Sequence, residues 1–459
     1  MRAILKRSPA PKPRACACPC GRPKVRDAST FHADLVVRNA AQLVTISGSG
    51  RPRSGHQQGH LAIIPDGAVA IADGEIIAVG TTDEVMTSGA VDADTAEMDA
   101  RGCVVTPGLI DSHTHLVFGG SREREFELRA RGATYAEIMA AGGGIYSTVK
   151  KTREASADTL YRKAERHLAT MLAYGTTTVE AKSGYGLDFD TELKQLEVLE
   201  KLNRHQPIDV VPTFMGAHAV PEGEDADAYV DWLCTEAIPR IAIRGLARFC
   251  DVFCEKGVFT PEQTAKILRA AQRQNLGAKL HADELCDTGG AMLAAELGAV
   301  SADHLHCANE EGLAAMAKKG VVATLLPGTA VFLGMREHAK ARRMVELGVP
   351  VALATDFNPG SCYSESMSLM MSFACTQLKL TPAEALVAAT INAAHAVSRG
   401  HHVGSLEVGK LGDLVLWDAD DYRMIPYHMG VNLVKTVVKR GKVVHRAGGM
   451  PSKTVAQEV

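Results

Sequence analysis

Short apolar runs with a period-two alternation appear near both ends of the chain. The first two runs are "ADLVVRNAAQLVTI", which begins at Ala33, and "GAVAIADGEIIAVG", which begins at Gly67. Two more, "GSLEVGKLGDLVLWD" and "VKTVVKRGKVVHRAG", come after Ser398. Gly and Asp turns separate these runs, and "ADGE" is typical of a β-hairpin. Because β-rich segments from opposite ends of a chain can pair, the pattern predicts one small β-sandwich domain built from residues 33–105 and 399–449.

The segment between them, residues 106–398, alternates between β-type runs and helical patterns such as "ELKQLEVLEKLNRH" and "PEQTAKILRAAQRQN". Eight β-type runs can be counted: "CVVTPGLIDSHTH", "GTTTVEAKSGYG", "IDVVPTFMGAHA", "FCDVFCEKGVF", "GAKLHADE", "AVSADHLHC", "VVATLLPG" and "VPVALATDFNPGS". Eight β/α alternations are typical of a (β/α)8 barrel. The predicted fold class is therefore α/β, a TIM-like barrel with a small β-sandwich domain made from both chain ends.

Residues 1–32 and 450–459 fall outside both patterns. The stretch "MRAILKRSPAPKPRACACPCGRPKVR" is rich in Pro, Arg and Lys and has no acidic residue before Asp27. Such a composition cannot build a core, and the stretch lacks the apolar centre of a secretory signal. We expect a disordered extension before residue 33 and a short tail after residue 449.

Composition and charge narrow the classes of function. Hydrophobic residues make up 46% of the 459 positions and charged residues 22%, and the formal net charge is −3. This balance gives no electrostatic reason to expect binding to nucleic acid or to a membrane surface. The eleven cysteines are odd in number and have no repeated spacing, which argues against a disulfide framework and favours a reducing, cytoplasmic compartment.

Polar residues occur where the predicted barrel strands end, and this face carries the chemistry in such barrels. His113 and His115 would share a face if "LIDSHTHLVF" is a strand. The other strand-end polar residues are Glu180, Tyr185, His218, His281, Glu284, His304, Asp356 and Asn358. Each of these alone has a structural interpretation, as a hydrogen-bonded histidine, a helix cap or a packed ring. Two imidazoles on one face are costly to bury without a partner, so the pair favours a metal.

The chemistry of this set follows from its donor atoms. Two imidazoles from the first strand, a third from the fifth and a carboxylate from the eighth suit Zn²⁺, Fe²⁺ or a similar ion. Such a metal lowers the pKa of a water ligand toward about 7 and supplies a hydroxide nucleophile. The residues therefore predict hydrolysis or hydrolytic deamination.

The motifs "VTPGLIDSHTH", "LHADE", "ATDFNPGS" and "GSLEVGKLGDLVLWD" together resemble the amidohydrolase superfamily. The segments "HLVFGGSRERE", "IYSTVKKTREAS", "EAKSGYGLD", "TFMGAHAVP" and "CDVFCEKGVF" are similar to the branch that opens a cyclic amide in histidine degradation. The resemblance covers roughly residues 33–449. It implies hydrolysis of 4-imidazolone-5-propanoate to N-formimidoyl-L-glutamate, a small-molecule substrate, and a homodimer by family analogy.

The resemblance also implies roles for individual residues. It implies one Zn²⁺ or Fe ion per subunit, since Lys256 in "FCEKGVF" follows the pattern of a mononuclear branch, and the ligands would be His113, His115, His281 and Asp356. The implied catalytic residues are Glu284, His304 and Asp356. Glu284 would shuttle a proton, and His304 would orient the water or polarise the carbonyl. Arg122 would bind the propanoate. The other implied contacts to substrate or product are Tyr185, His218, Glu284, Asn358, Gly360 and Ser361.

Two alternatives remain open on the sequence. A deaminase of a cytosine- or guanine-like base would share the HxH pair, "HADE" and the aspartate, but it would not need Arg122. A scaffold protein that keeps the barrel would have lost metal ligands, whereas all four expected ligands are present here.

Overall fold

The computed structural model describes residues 32–134, 137 and 142–448. The predicted extension, apart from His32, and the predicted tail of residues 450–459 lie outside these residues. The strands in chain order are β1 Leu35–Val44, β2 Ile63–Ala72, β3 Glu75–Thr81, β4 Ala96–Asp99, β5 Val104–Pro107, β6 Leu109–Asp111, β7 Thr176–Lys182, β8 Asp209–Ala217, β9 Phe249–Cys254, β10 Gly277–Ala282, β11 Ser301–His304, β12 Val322–Leu325, β13 Val351–Leu353, β14 Leu414–Trp417, β15 Val434–Lys439 and β16 Lys442–Arg446.

The α-helices lie between and around these strands. They are Thr82–Thr87, Glu123–Ala130, Ile145–Glu154, Ala157–Ala173, Phe189–His205, Ala226–Trp232, Ile238–Arg244, Pro261–Arg273, Gly290–Leu297, Glu310–Lys319, Pro327–Leu333, Ala341–Leu347, Met367–Thr376, Pro382–Val387, Ala393–Ala396 and Met424–Tyr427. A 3₁₀ turn covers Gly55–Gly59, and π-helical turns cover Leu233–Ala237 and Ala388–Asn392. Within the described part of the chain, no helix combines the length and the apolar character needed to cross a membrane.

Strands β6 to β13 form one parallel sheet in sequence order, which confirms the predicted (β/α)8 barrel. The sheet closes just beyond the ends of β6 and β13, where Thr114 bridges Phe357 in parallel. The His115 N–H donates to the Phe357 carbonyl at 2.9 Å, and the Asp356 N–H donates to the His113 carbonyl at 3.0 Å. The closing hydrogen bonds therefore place the HxH segment beside Asp356.

The helix Phe189–His205 illustrates how the outer layer forms. Its N-cap, Asp188, accepts from the Thr191 N–H at 2.8 Å, which satisfies a donor that the first helical turn leaves free. Leu196, Leu199 and Leu202 recur at helical spacing and are fully buried. Truncating one such leucine to alanine costs about 2–5 kcal/mol of stability in a well-packed core. The apolar face thus fixes this helix on the barrel that carries the site.

A second, mixed sheet joins the two ends of the chain. Its order is β16-β15-β14-β5-β1-β2-β3, and β4 also pairs with β1. Asp73 and Gly74 in "ADGE" have φ of 50° and 80°, as a type I′ hairpin turn requires. Strand β14 runs antiparallel to β5, and the Trp417 indole donates to the Thr106 hydroxyl at 2.9 Å. The predicted pairing of the chain ends into one β domain is confirmed.

Candidate active site

The histidine pair lies at the point where the barrel closes. Strand β6 ends at Asp111, two residues before His113, so the pair follows the strand instead of lying within it. The bridge from Thr114 to Phe357 continues the extended geometry beyond the strand, and the Thr114 hydroxyl donates to the Glu180 carbonyl at 2.7 Å. Both imidazoles consequently point into the barrel, with ring centroids 5.4 Å apart.

The four predicted metal ligands converge in the buried centre of this face. The Nε2 atoms of His115 and His281 are 3.3 Å apart. The Asp356 Oδ1 atom lies 3.5 Å from His113 Nε2 and 3.6 Å from His115 Nε2. The Thr329 hydroxyl donates to the other carboxylate oxygen of Asp356 at 2.7 Å. Strands far apart in sequence thus direct three imidazoles and one carboxylate oxygen at one point.

Hydrogen bonds on the far side of two imidazoles set their tautomers. The Nδ1 atom of His113 lies 2.6 Å from Asp303 Oδ2, and Nδ1 of His281 lies 2.9 Å from Asp251 Oδ1. Carboxylates accept here, so each Nδ1 carries the proton and each Nε2 keeps a lone pair. The buried Nε2 atom of His113 has no hydrogen-bond partner among the described residues. The Nε2 lone pairs of His113 and His281 fit a bound cation, and carboxylate-oriented histidines are typical of metal sites.

Burial favours the neutral, metal-binding form of His113 and His115, whereas the Asp251 carboxylate raises the pKa of His281 against the effect of burial. Burial, with the charge of Lys182 adding to it, lowers the pKa of His113 well below its ordinary value. Burial and the neighbouring His218 do the same to the pKa of His115. Neutral imidazole is the form that coordinates a metal. A second group, formed by His113, His304 and Asp356, also brings its ligand atoms within 4.8 Å of one another, so His304 borders the same point.

A buried charge network that sequence reasoning missed supports these histidines. The ammonium of Lys182 lies 2.7 Å from Glu180 Oε1, 2.7 Å from Asp251 Oδ2 and 3.7 Å from Asp303 Oδ2, and all four side chains are fully buried. Although burial opposes charge, Lys182 and His281 hold the pKa of Asp251 well below its usual range. The lysine therefore keeps ionised the carboxylate that orients His281. The available signal was a charged residue inside an apolar strand, as in "FCDVFC" and "VEAKSG".

Glu284 and His304 lie together beside the ligand group. The Nδ1 atom of His304 is 3.6 Å from Glu284 Oε1. Burial, reinforced by the charge of Asp356, raises the pKa of Glu284 to about 8, a range suited to proton transfer near neutral pH.

Three residues of the site have backbone angles in the left-handed region. His304, Asp283 and Asp356 have φ of 75°, 50° and 54°. Residues other than glycine rarely adopt such backbone angles, and those that do cluster at functional sites.

Two aromatic residues cover one side of the site. The His218 ring stacks on His115 with centroids 4.7 Å apart and planes 18° apart. Its Nδ1 atom lies 3.0 Å from the Gly184 carbonyl, and burial lowers its pKa to about 3. His218 is therefore neutral, donates through Nδ1 and presents Nε2 as an acceptor. The buried Tyr185 ring lies 5.3 Å from His218.

The loop after β13 forms another wall. The Asn358 amide donates to Ser361 Oγ at 2.7 Å, while its carbonyl oxygen accepts from the Gly360 and Ser361 N–H groups at 2.7 and 2.8 Å. Ser361 Oγ in turn donates to Asp356 Oδ2 at 3.2 Å. These bonds tie the predicted substrate-contact loop directly to a predicted ligand.

Arg122 lies at the edge of this loop and is paired with a residue that the sequence analysis did not single out. Its Nε and Nη2 atoms donate to Glu125 Oε2 at 2.9 and 2.7 Å. Charged runs such as "SREREFE" usually lie on a solvated face, yet the Arg122 side chain is only 13% exposed. The structure thus brings every predicted site residue to one end of the barrel.

The sequence of the chain is similar to those of known proteins. The amidohydrolase family model matches residues 104–444. The chain is 54% identical over 418 residues to an imidazolonepropionase of Geobacillus sp. (strain WCH70), an alignment that covers 90% of this chain and 98% of that protein. It is 51% identical over 416 residues to an imidazolonepropionase of Brevibacillus brevis, again covering 90% of this chain and 98% of that protein.

Structural comparison agrees at the level of the fold. An adenosine deaminase from Xanthomonas campestris, solved with bound zinc, is similar with a TM-score of 0.66 at 20% identity, covering 90% of this chain and 93% of that one. A triazine hydrolase variant is similar with a TM-score of 0.68 at 18% identity, covering 90% and 94%. At such identities the likeness concerns the barrel and its accompanying β domain.

Proposed function

The chain belongs to the amidohydrolase family and groups within it with the imidazolonepropionases, and on this premise we propose that its site hydrolyses 4-imidazolone-5-propanoate to N-formimidoyl-L-glutamate. The observation that carries the proposal is that the Nε2 atoms of His113 and His115 face Asp356 Oδ1 while His281 Nε2 lies beside that of His115, at the end of the barrel where Arg122 lies. A cyclic amide with a carboxylate side chain needs the histidine and aspartate group for hydrolysis and the arginine for binding its carboxylate.

One Zn²⁺ or Fe ion per subunit would be held by His113, His115, His281 and Asp356. The mixed nitrogen and oxygen donors suit either metal, and the unpartnered Nε2 of His113 supports the fit. When bound, such an ion lowers the pKa of a water ligand and makes a nucleophile available near neutral pH.

Arg122 binds the propanoate carboxylate of the substrate. A guanidinium can donate two parallel hydrogen bonds to a carboxylate. Its Nε and Nη2 atoms are committed to Glu125, which leaves the Nη1 group beside Gly360 to donate to the carboxylate. Binding the propanoate at the barrel mouth leaves the ring amide to reach the buried histidines.

Glu284 moves the proton that hydrolysis requires. Its carboxylate accepts a proton from the attacking water and passes it to the ring nitrogen as the amide C–N bond breaks. Its raised pKa, about 8, supports both halves of this transfer. Asp356, 2.7 Å from the Thr329 hydroxyl, keeps its Oδ1 atom directed at the site and helps to orient the water.

His304 stabilises the charge that develops on the carbonyl oxygen. Burial and the nearby His281 lower the pKa of His304 well below its ordinary value, so the ring is neutral and carries one N–H. Neither ring nitrogen has a hydrogen-bond partner among the described residues. A free, oriented N–H donor in a buried site suits the oxyanion of amide hydrolysis.

The remaining residues hold the ring and the opened product. His218 presents Nε2 as an acceptor for a ring N–H, and Tyr185 lies beside it. Asn358 and Gly360 hold the product, and Ser361 contacts the substrate. The Ser361 bond to Asp356 links this wall to the ligand group.

Product analysis in ¹⁸O-labelled water separates this reaction from the deaminase alternative. Hydrolysis of the ring amide places one ¹⁸O atom in the newly formed carboxylate of N-formimidoyl-L-glutamate and releases no ammonia. Release of ammonia from a cytosine- or guanine-like base, with no turnover of the imidazolone, would overturn the proposal.

A further inference from the structure

Two arginines approach Gly360, although only one of them has a role in the reaction described above. The Nη2 atom of Arg129 donates to the Gly360 carbonyl at 2.9 Å. On the other side, a Cβ at position 360 would lie 2.2 Å from Arg122 Nη1. A side chain at position 360 would displace this guanidinium from its place, so both arginines pack closely against the loop.

The charges of the two arginines and their carboxylate partner do not balance. Glu125 is the carboxylate that faces the two arginines, and its side chain is 9% exposed. Its Oε2 atom accepts both hydrogen bonds from Arg122, and its Oε1 atom accepts from the Gly144 N–H at 3.1 Å. Both carboxylate oxygens therefore accept hydrogen bonds, and the negative charge of Glu125 neutralises one of the two guanidinium charges.

Arg129 carries the remaining positive charge. Its Nε–H is buried and has no hydrogen-bond partner within the described residues. Its guanidinium carbon lies 5.5 Å from the centroid of the Phe332 ring, which covers one face of the group. Burial and the charge of Arg122 lower the pKa of Arg129, so an anion bound nearby would stabilise the charged form.

We propose that Arg129 is a second carboxylate-binding residue of this site and supplies the net positive charge that selects an anionic substrate. Arg122, held in place by Glu125, orients the carboxylate. This inference rests on the proposed function, because the carboxylate is the propanoate of the substrate. A neutral Arg122–Glu125 pair can donate a hydrogen bond through Nη1, but it offers no net charge. The unpaired guanidinium of Arg129 does, and a net positive charge favours a carboxylate over a neutral amide of the same shape.

The test uses glutarate as a probe, with glutaramide as its neutral counterpart, and measures binding to the full metal-loaded chain by calorimetry. Arg129→Met should weaken glutarate binding on the order of ten- to a hundredfold and leave glutaramide binding unchanged. Arg131→Met is the matched control, because Arg131 lies two residues further on, is 73% exposed and pairs with Glu127. That variant should bind glutarate like the wild type.

Steady-state kinetics give the second readout. Arg129→Met should raise KM for the imidazolone propanoate with little change in kcat, and Arg129→Lys, which keeps the charge without the fork, should recover part of the loss. Equal binding of glutarate by Arg129→Met and wild type, or wild-type affinity for glutaramide equal to that for glutarate, would overturn the inference.

The outcomes also separate this inference from the proposed function. Wild-type hydrolysis of the imidazolone with an unchanged KM in Arg129→Met would leave the function standing and remove the role of Arg129. Glutarate binding that depends on Arg129, in a wild-type protein that does not hydrolyse the imidazolone, would leave the carboxylate site standing and remove the function.

Discussion

The Nε2 atom of His281 lies 3.3 Å from the Nε2 atom of His115, while Nδ1 of His281 is committed to Asp251 at 2.9 Å. The proton of His281 is therefore on the side facing Asp251, and a lone pair faces His115. A cation between these two ring nitrogens, or a proton on His115 Nε2 in its absence, satisfies both of them. This relationship links the barrel geometry directly to metal binding.

Replacing His281 with alanine should abolish metal retention together with turnover. The change removes one of four protein ligands whose donor atoms converge, and it leaves the Asp251 carboxylate without its imidazole partner. Metal content after gel filtration measures the effect. His205→Ala, at an exposed position on an outer helix, is the control and should keep its metal. A His281→Ala variant with stoichiometric metal would show that the ligand set is misassigned.

Asp303→Asn should weaken metal binding without removing it. Asp303 accepts from His113 Nδ1 at 2.6 Å, and loss of such an orienting carboxylate typically costs about 10–100-fold in metal affinity. Competition with a chelator measures the affinity, and kcat at saturating metal should fall less than the affinity does. Unchanged affinity would mean that Asp303 serves only the ion network of Lys182.

Arg122→Met should act mainly on KM. Its contact with the propanoate is distant from the bond that breaks and is similar in ground and transition states. A lost charge-assisted contact is worth about 1.5–3 kcal/mol, on the order of ten- to a hundredfold. Arg124→Met, in the same charged run but exposed, should have normal kinetics. An unchanged KM in Arg122→Met would place the propanoate elsewhere.

Glu284→Gln should lower kcat by roughly 10²–10⁴ with metal content intact, because the amide keeps the shape but cannot carry the proton. The pH profile provides a second check. Since burial raises the pKa of Glu284 to about 8 and the carboxylate form is needed to accept a proton, wild-type activity should fall as pH drops below that pKa. The residual activity of Glu284→Gln should lack this acidic limb. Near-normal kcat in the variant would transfer the role to His304 or Asp356.

The sequence predicted those parts of the site that local pattern determines. Eight alternations of strand and helix imply a barrel, and a barrel places strand-end residues on one face. The HxH pair, His281 and Asp356 could therefore be assigned together before any distance was known. The hairpin at Asp73 and Gly74 was likewise predictable, because its turn type depends on two adjacent residues.

The supporting carboxylates depend on register between strands, which the sequence pattern does not give. Asp303 is opposite His281 in the β10–β11 ladder, yet its side chain bonds to His113, which follows β6. Asp251 is opposite Lys279 in the β9–β10 ladder, yet it orients His281. The pairing of Arg122 with Glu125 could not be predicted either. Both lie in a charged run, and its exposure depends on tertiary packing against the loop at Gly360.

The central claim is that the converging histidines and Asp356 support opening of an imidazolone ring. The most direct measurement follows the ultraviolet absorbance of enzymatically generated 4-imidazolone-5-propanoate in the presence of metal-stripped protein, before and after addition of Zn²⁺ or Fe²⁺. The account predicts no enzymatic loss of absorbance before the addition, a rapid loss after it, and no recovery in His281→Ala. Unchanged absorbance with fully metal-loaded wild-type protein would contradict the account.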